Sequence, residues 1–464
     1  MEEILEKVLE KIKPKQAQRE KMAKTRSKLI EKAENATSDY SLTIKPKIVG
    51  SAARNTWILE EGERDIDLFL LFPKDTSREK LEKIGLEVGR KISKGKGKEQ
   101  YAEHPYIHTN IDGFDVDIVP CYDIEDPTNL RSAVDRSTHH QKYVKENLGL
   151  EKADQVLLLK KFLKGIGTYG SELRIHGFSG YLCELLIIHF GSFRKLIESA
   201  KNWGSSKVIN PDDDRKKEEL QKIFPNQPLI FIDPVDPSRN VAAAVSKKNY
   251  ATFIRASQDF LRDPREVFFF PNDPPVSKEK LSKILKSRET SIFMISINIT
   301  FDLVPDIVYP QLRKTEMKLK KDLERSDFRV LRTDIWSKNK KAIILVELEV
   351  SELPKAKKHS GPPLNVKPEP FIQKHLNSEK TLNGPFINEE GRLMFEIERP
   401  HKKAREVLAN SLNSREGFGK HIKKSIKEEG YEISENSEII ETAAESNALK
   451  FLGNYLTRQL PWYR

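Results

Sequence analysis

Two short apolar segments that begin with paired aspartates constrain the fold of this chain more than any other feature. The segments are DIDLFLLF at 65–72 and FDVDIV at 114–119, and both have the composition of buried strands. Between them, SREKLEKIGLEVGRKI has helical spacing and begins with a serine, a common N-cap. The order strand, helix, strand predicts an α/β sheet domain within residues 1–148.

The remainder of the chain divides into segments of different periodicity. Residues 149–225 have a helical pattern, and residues 226–285 begin with a strand, a proline-rich turn and a helix start. Residues 286–400 contain the strand candidates SIFMISINI and KAIILVELEV around a charged helix, followed by loops with short strands. Residues 401–464 return to helix. A chain of 464 residues with this pattern is expected to be an α+β multidomain protein.

The charge balance favours a polyanionic partner without requiring one. The formal net charge is +11 and the isoelectric point is about 9.2. Such a balance is typical of nucleic-acid-binding proteins, but a lysine- and glutamate-rich surface explains it equally well.

Targeting signals and cysteine usage indicate a cytoplasmic protein. The N-terminal MEEILEKVLEKIK is a charged amphipathic helix pattern, broken near Pro14, and does not resemble a secretory signal. No apolar stretch reaches the roughly 20 residues of a membrane span. Cys121 and Cys183 form no disulfide or zinc pattern, so both are expected to be small core residues in a reducing compartment.

The paired aspartates are the strongest candidates for chemistry. Residues i and i+2 of a strand face the same way, so Asp65 and Asp67 project together, as do Asp115 and Asp117. Such close carboxylates ionise together only at a cost unless a cation lies between them, and Mg²⁺ prefers oxygen ligands. One acid of the second strand would complete a two-metal site for phosphoryl or nucleotidyl transfer. The residues alone leave Asp115 and Asp117 as alternatives, and they leave open that the acids only cap exposed strand ends.

A turn of small residues precedes the first strand. Gly50 and Ser51 offer backbone N–H groups and a hydroxyl without bulk, and Arg54 adds a fork of donors that matches phosphate. Alone, this is an ordinary turn with a surface arginine. Because it lies about 14 residues before an Asp-x-Asp strand, it favours a triphosphate site.

Together these motifs resemble a known superfamily. The pattern G-S-x-A-R-x-T-W, D-I-D-x-F-L-L-F and D-V-D-I-V-P-C-Y is similar to the polymerase-beta-like nucleotidyltransferases, which include DNA polymerase beta and poly(A) polymerases. Further segments resemble the archaeal-type (class I) CCA-adding enzymes, the tRNA nucleotidyltransferases. These are SAVDRSTHHQKYV at 132–144, LKKFLKGIGTYGSELRIHGFSGYLCELLI at 159–187, DPVDPSRNVAAAVS at 233–246 and HSGPPL at 359–364.

The resemblance implies roles for individual residues. The catalytic carboxylates and metal ligands would be Asp65, Asp67 and Asp117, since the family's motif favours Asp117 over Asp115. Nucleotide-binding residues are implied at Ser51, Arg54, His140, Lys160, Tyr169 and Arg239, with Arg239 matching an arginine that contacts the Watson–Crick edge of the incoming base. Without the resemblance, His140, Lys160 and Tyr169 would be interpreted as a loop histidine, an exposed helix lysine and a core tyrosine.

The resemblance also implies an architecture and an activity. The expected domains are an α/β head with a mixed sheet (1–148), a helical neck (149–225), a body (226–285 and 401–464) and an α/β, tRNA-binding tail (286–400). The expected reaction adds C, C and A in sequence to the tRNA 3′ end from CTP and ATP. It uses two Mg²⁺ ions and no nucleic-acid template, and it releases pyrophosphate. The partners would be the tRNA acceptor stem and 3′ end, with no membrane; a homodimer is left open.

Two other interpretations share parts of this pattern. A poly(A)-polymerase-type enzyme would use the same chemistry on RNA 3′ ends. A catalytically inactive RNA-binding protein is disfavoured, because a dead site has no reason to keep a costly cluster of acids. Two departures from the family are the long acidic link ILEEGER between Trp57 and Asp65, and Asp65 itself, where relatives can carry glutamate.

Basic side chains are the candidates for tRNA contacts, because phosphate contacts supply affinity without sequence information. The candidates are Arg313, Lys314, Lys318, Lys320, Lys321, Lys355, Lys357, Lys358, Lys402, Lys403 and Arg405.

The segment GIGTYG at 165–170 matches the dinucleotide-binding G-x-G-x-x-G pattern. It follows a helical stretch and not a strand, so it predicts a helix end and turn.

Overall fold

The computed structural model describes residues 1–60, 65–101, 103–211, 214–301, 303–363 and 365–464. The helices are α1 (Glu2–Ile12), α2 (Gln16–Thr37), α3 (Gly50–Arg54), α4 (Arg78–Ile92), α5 (Arg136–Asn147), α6 (Leu150–Gly165), α7 (Gly180–Phe190), α8 (Phe193–Ala200), α9 (Lys217–Ile223), α10 (Lys247–Arg262), α11 (Lys278–Arg288), α12 (Pro305–Arg325), α13 (Glu369–Leu376), α14 (Ala404–Ser414), α15 (Lys420–Glu429), α16 (Glu438–Glu445) and α17 (Leu449–Thr457). The strands are β1 (Lys45–Val49), β2 (Asp65–Pro73), β3 (Lys98–Tyr101), β4 (Pro105–Ile111), β5 (Phe114–Asp123), β6 (Lys207–Ile209), β7 (Leu229–Phe231), β8 (Ser291–Asn298), β9 (Val330–Lys338), β10 (Lys341–Leu348), β11 (Ala356–Ser360), β12 (Thr381–Ile387), β13 (Leu393–Glu398) and β14 (Glu432–Glu435).

The chain forms two compact units. The first contains Met1–Asn272 together with Leu460–Arg464, and the second contains Asp273–Gln459. The finer division into head, neck, body and tail stays a prediction. Residues 61–64 of the acidic link ILEEGER, and Leu364 of HSGPPL, lie outside the described residues.

The first unit contains the predicted α/β sheet. Its five strands run in the order β1-β2-β5-β4-β3. The β2–β5 pair is parallel and the other pairs are antiparallel, so the sheet is mixed, as predicted. Between β2 and β5, α4 begins at the predicted serine, since Ser77 Oγ accepts a hydrogen bond from the Lys80 backbone N–H at 3.3 Å. Strands β1, β3 and β4 were not predicted: β1 and β3 are short and polar, and β4 alternates over only the five residues from Ile107 to Ile111.

The sheet face away from the acids is packed against helices. Ile66, Leu68, Val116 and Ile118 are fully buried in a core shared with α2 and α4. In β2 and β5 these apolar residues alternate with the aspartates, so the strand period fixes which face carries the acids.

A second core in the same unit joins α1, α6, α7, α8 and α10. Phe162 of α6 lies near its centre, with its ring centroid 5.3 Å from that of Phe193 and 5.6 Å from that of Phe260. The predicted break near Pro14 is confirmed, since α1 ends at Ile12 and α2 begins at Gln16. Cys121 and Cys183 are both buried, as expected.

The second unit is built on a four-stranded antiparallel sheet in the order β14-β8-β10-β9. One face packs against α12, α14 and α15, and the other packs against α11, α16 and α17. A separate three-stranded sheet, β11-β13-β12, contacts α13. The strands β8 and β10 were predicted, whereas the polar β9 and the short β14 were not.

Among the helices of the described residues, none has both the length and the apolar character needed to cross a membrane.

Glu347 in β10 gives a stability prediction for the second unit. Its side chain is fully buried and accepts hydrogen bonds from Arg288 Nε and Thr290 Oγ1, both at 2.7 Å, and from Arg332. Glu347→Ala leaves two partly buried guanidinium groups without their carboxylate, so we expect the free energy of unfolding to fall by about 3–5 kcal/mol.

Glu349→Ala is the matched control. Glu349 pairs with Arg329 at 2.9 Å, but both side chains are exposed, so a loss of at most about 1 kcal/mol is expected. Denaturant unfolding followed by circular dichroism compares the two variants. Equal losses would contradict the prediction.

Candidate active site

A cavity of about 630 Å³ in the first unit brings together most of the residues predicted from the sequence. Its lining includes Ser51, Arg54, Asp65, Asp67, Asp117, Lys160 and Tyr169. His140 and Arg239 are linked to the cavity through Tyr181, which also lines it. The Tyr181 ring stacks on the His140 ring with centroids 3.8 Å apart. Tyr181 and His140 both contact Asp233, and Asp233 also pairs with Arg239.

The paired aspartates face each other across two parallel strands. The register places Asp65 beside Asp115 and Asp67 beside Asp117. Burial and the neighbouring charge of Asp117 raise the pKa of Asp67 to about 6, although Arg54 acts in the opposite direction. The same surroundings, burial first and then the charges of Asp117 and Asp67, raise the pKa of the Tyr106 hydroxyl to about 12. Negative charge is therefore concentrated around Asp67 and Asp117, on two interior strands of the sheet.

The two acids of β5 have different surroundings. Asp117 lines the cavity, and its Oδ1 lies 2.7 Å from Nδ1 of His108 on β4. Asp115 Oδ1 accepts a hydrogen bond from Asn110 Nδ2 at 3.1 Å, near the start of β5 and in a more exposed position. The geometry therefore favours Asp117 as the acid that acts with Asp67.

The carboxylates fit a hard divalent cation by their chemistry. Asp65, Asp67 and Asp117 supply only oxygen donors, the ligands that Mg²⁺ prefers. A cation would also relieve the repulsion that raises the pKa of Asp67. In the described parts of the chain, no three His, Cys, Asp or Glu side chains are already gathered as a set of ligands. Since Asp117 Oδ1 is engaged with His108, ion binding would use the other Asp117 oxygen or displace the imidazole.

The structure has a short helix, α3, where the sequence predicted a small-residue turn, and Gly50 at its start determines how closely α3 approaches Asp67. Its φ is +75°, and a Cβ atom placed there would lie 2.1 Å from Asp67 Oδ2. Only glycine fits this position without strain. The glycine of the Gly-Ser turn therefore has a steric reason in addition to the backbone donors expected from the sequence.

Arg54 is anchored by a buried acid that the sequence did not indicate. Its Nε donates to Glu184 Oε1 at 2.9 Å, and its Nη1 donates to Gln141 Oε1 at 2.8 Å. Thr56 Oγ1 donates to the same Glu184 oxygen at 2.5 Å. Glu184 is fully buried on α7, so this guanidinium is not the surface arginine of the simpler interpretation. The partner lies 130 residues away in sequence, so local spacing gives no signal for it.

Lys160 is also buried, contrary to the interpretation of an exposed helix lysine. Only 2% of its surface is exposed, and its Nζ donates to the Thr56 carbonyl at 2.7 Å. Tyr169 follows α6 in the GIGTYG turn, and Gly167 and Gly170 of that turn line the same cavity. The turn follows a helix, as predicted, so it does not have the strand–turn–helix context of a dinucleotide site.

Carboxylates on neighbouring strands, beside a serine and an anchored arginine, have the chemistry that nucleotidyl transfer requires. A family model of the nucleotidyltransferase domain matches residues 30–140. Enzymes of this class work with divalent metal ions.

Two further matches narrow the class. The second domain of tRNA nucleotidyltransferase matches residues 154–270, and the C-terminal domain of CCA-adding enzyme matches residues 288–436. The chain is 41% identical over 442 residues to the CCA-adding enzyme of Methanosarcina acetivorans, covering 93% of each chain. It is 37% identical over 463 residues to that of Methanothermobacter thermautotrophicus, covering 98% of this chain and 97% of the relative. The chain belongs to the family of CCA-adding enzymes.

Gly50→Ala tests the close approach to Asp67. A Cβ atom would displace the Asp67 carboxylate, and a displacement of about 1 Å costs on the order of a hundredfold in rate. We therefore expect nucleotide addition to fall by about that factor, as measured by incorporation of labelled CTP.

Gly95→Ala is the control for the backbone alone. Gly95 has a similar φ of +71°, but no described atom lies within 4 Å of the point that an added Cβ would occupy. Both variants should lose about 1–2 kcal/mol of stability from the positive φ, Gly50→Ala should lose more because of the clash, and only Gly50→Ala should lose activity. Equal activities would show that the approach to Asp67 is unimportant.

Proposed function

We propose that the protein adds C, C and A in sequence to the 3′ end of tRNA from CTP and ATP, without a nucleic-acid template. One observation supports the chemistry: a single cavity contains facing carboxylates together with hydroxyl, guanidinium and ammonium donors. The carboxylates suit a metal-assisted transfer, and the hydroxyl, guanidinium and ammonium donors suit the binding of a triphosphate. Family membership over nearly the whole chain supports the choice of tRNA as the acceptor.

The chain's own residues would position both substrates. Ser51 and Arg54 would bind the triphosphate, and Lys160 would add a point charge held in place by the Thr56 carbonyl. A divalent cation held by Asp65, Asp67 and Asp117 would lower the pKa of the tRNA 3′-hydroxyl and neutralise phosphate charge. Asp117 would direct that hydroxyl toward the α-phosphorus, where the new bond forms as pyrophosphate leaves. Tyr169, His140 and Arg239 would contact the ribose and base.

Contacts to tRNA are proposed for basic side chains of the second unit. Several sequence candidates make internal contacts: Lys318 Nζ lies 2.6 Å from Asp322 Oδ1, and Lys357 Nζ lies 3.0 Å from Asp327 Oδ2. Lys314, Lys321 and Lys403 are exposed and are the better candidates. Their contribution should be to affinity, through phosphate contacts.

Two finer features are kept as predictions: Mg²⁺ as the physiological ion, from the resemblance, and a cytoplasmic location, from targeting signals and cysteine usage. Activity with Mg²⁺ and Mn²⁺ in parallel tests the first. The mass of the protein in solution decides whether it forms the homodimer that the sequence leaves open.

The order of nucleotide addition is the most direct test of the function. With tRNA lacking CCA, we expect labelled CTP alone to add two residues and ATP alone to add none. ATP should be incorporated once, after CTP has been supplied. Repeated incorporation of ATP without CTP would indicate a poly(A)-polymerase-type enzyme instead.

The assignment of Asp117 over Asp115 is tested by two variants of one strand. Asp117→Asn should lower the rate of CTP addition by about 10²–10³-fold, because the carboxylate facing Asp67 is lost. Asp115→Asn should stay within about threefold of the wild type, because Asp115 contacts Asn110. Circular dichroism checks that both variants are folded. The reverse pattern would transfer the role to Asp115.

A further inference from the structure

Asp233 is a fully buried carboxylate that collects four hydrogen-bond donors. Its Oδ1 accepts from the Tyr181 hydroxyl at 3.1 Å and from the Val235 backbone N–H at 3.0 Å. Its Oδ2 lies 3.0 Å from His140 Nε2 and 2.8 Å from Arg239 Nη1. Burial alone would disfavour its charge, but these contacts outweigh burial and lower the pKa of Asp233 to about 2. These contacts favour the charged form of Asp233 at neutral pH.

The donors come from separate parts of the first unit. His140 is on α5, Tyr181 is in the first turn of α7, and Arg239 is in the turn after β7. The His140 and Tyr181 rings are nearly parallel, with 18° between their planes. Of these three donors, only Tyr181 lines the cavity. Asp233 contacts both Tyr181 and Arg239, so it connects the wall of the cavity to Arg239.

Arg239 needs such an anchor because it is partly exposed and long. About a third of its side chain, 34%, is accessible, and a free arginine side chain loses up to about 2 kcal/mol of conformational entropy when it is fixed. A contact of one terminal amino group with Asp233 removes most of that freedom before a nucleotide arrives. Preorganised donors discriminate between partners better than mobile ones.

We propose that Asp233 is a positioning residue for base selection, which orients the Arg239 guanidinium and the His140–Tyr181 stack toward the incoming base. The proposal rests on the nucleotide-contacting roles given above to Arg239 and His140. In Asp233→Asn the side chain keeps its shape, but its amide N–H₂ group faces donors and cannot accept from them. The guanidinium would then lose its fixed orientation.

The test uses Asp233→Asn in the full chain, with Asp236→Asn as the matched control. Asp236 lies in the same turn and pairs with Arg136 at 3.1 Å, so its substitution also removes a partly buried charge. For Asp233→Asn we expect the KM for CTP to rise about tenfold with a smaller change in kcat. We also expect the preference for CTP over UTP, in equilibrium binding and in single additions, to fall by about the same factor. Asp236→Asn should keep the preference.

A double variant separates an effect on base selectivity from a general loss of stability. In an Arg239→Ala background, Asp233→Asn should cause a much smaller loss of selectivity than in the wild type, because the guanidinium is already absent and only the His140–Tyr181 stack is left for Asp233 to orient. Asp233→Glu, which retains the charge, should recover part of the preference. Additive losses, or an unchanged KM and preference in folded Asp233→Asn, would overturn the proposal. A wild-type protein that adds no nucleotides would instead overturn the proposed function.

Discussion

Two aspartates face each other across neighbouring parallel strands, and the active-site region depends on keeping them together. The register that aligns Asp67 with Asp117 also aligns Ile66 with Val116 and Leu68 with Ile118 on the other face. Burying each such apolar side chain stabilises the fold by about 1.5–3 kcal/mol. Burial of Asp67 and the charge of Asp117 act in the opposite direction. They raise the pKa of Asp67 from 3.8 to about 6, which corresponds to a cost of about 3 kcal/mol for keeping it charged. The apolar face therefore outweighs the repulsion and holds the acids in place.

The arginines near the cavity are held by buried carboxylates. Glu184 and Asp233 are both fully buried, and each contacts an arginine that was predicted to bind nucleotide. A buried carboxylate is tolerated when several donors satisfy it, and here the donors include these two arginines. Each arginine is thereby restricted before substrate binds. The two buried acids thus position groups that a solvent-exposed arginine would leave disordered.

The sequence predicted those parts of the site that depend on local periodicity. The alternation in DIDLFLLF and FDVDIV predicted two strands with acids on one face, and the serine before α4 predicted where that helix begins. Pairing between strands depends on distant residues, so the residues alone did not decide between Asp115 and Asp117. The burial of Lys160 has the same origin, because its partner is a backbone carbonyl 104 residues away. Every residue has a backbone carbonyl, so the sequence contains no signal for this contact. His140 and Asp233 meet only after α5 packs against the turn following β7, and Glu184 of α7 meets Arg54 only in the folded unit.

The residues around the cavity come from two matched regions of the chain, and the strands that carry the carboxylates supply only part of them. The nucleotidyltransferase domain match ends at residue 140, and within it lie the aspartates, Ser51 and Arg54. Glu184, Lys160 and Asp233 lie in the next matched region, residues 154–270. Without that region Arg54 would lose its anchor, and the facing carboxylates would attract the free guanidinium, since Arg54 already acts to lower the pKa of Asp67. Glu184 therefore competes with the aspartates for the Arg54 guanidinium and holds it on α7.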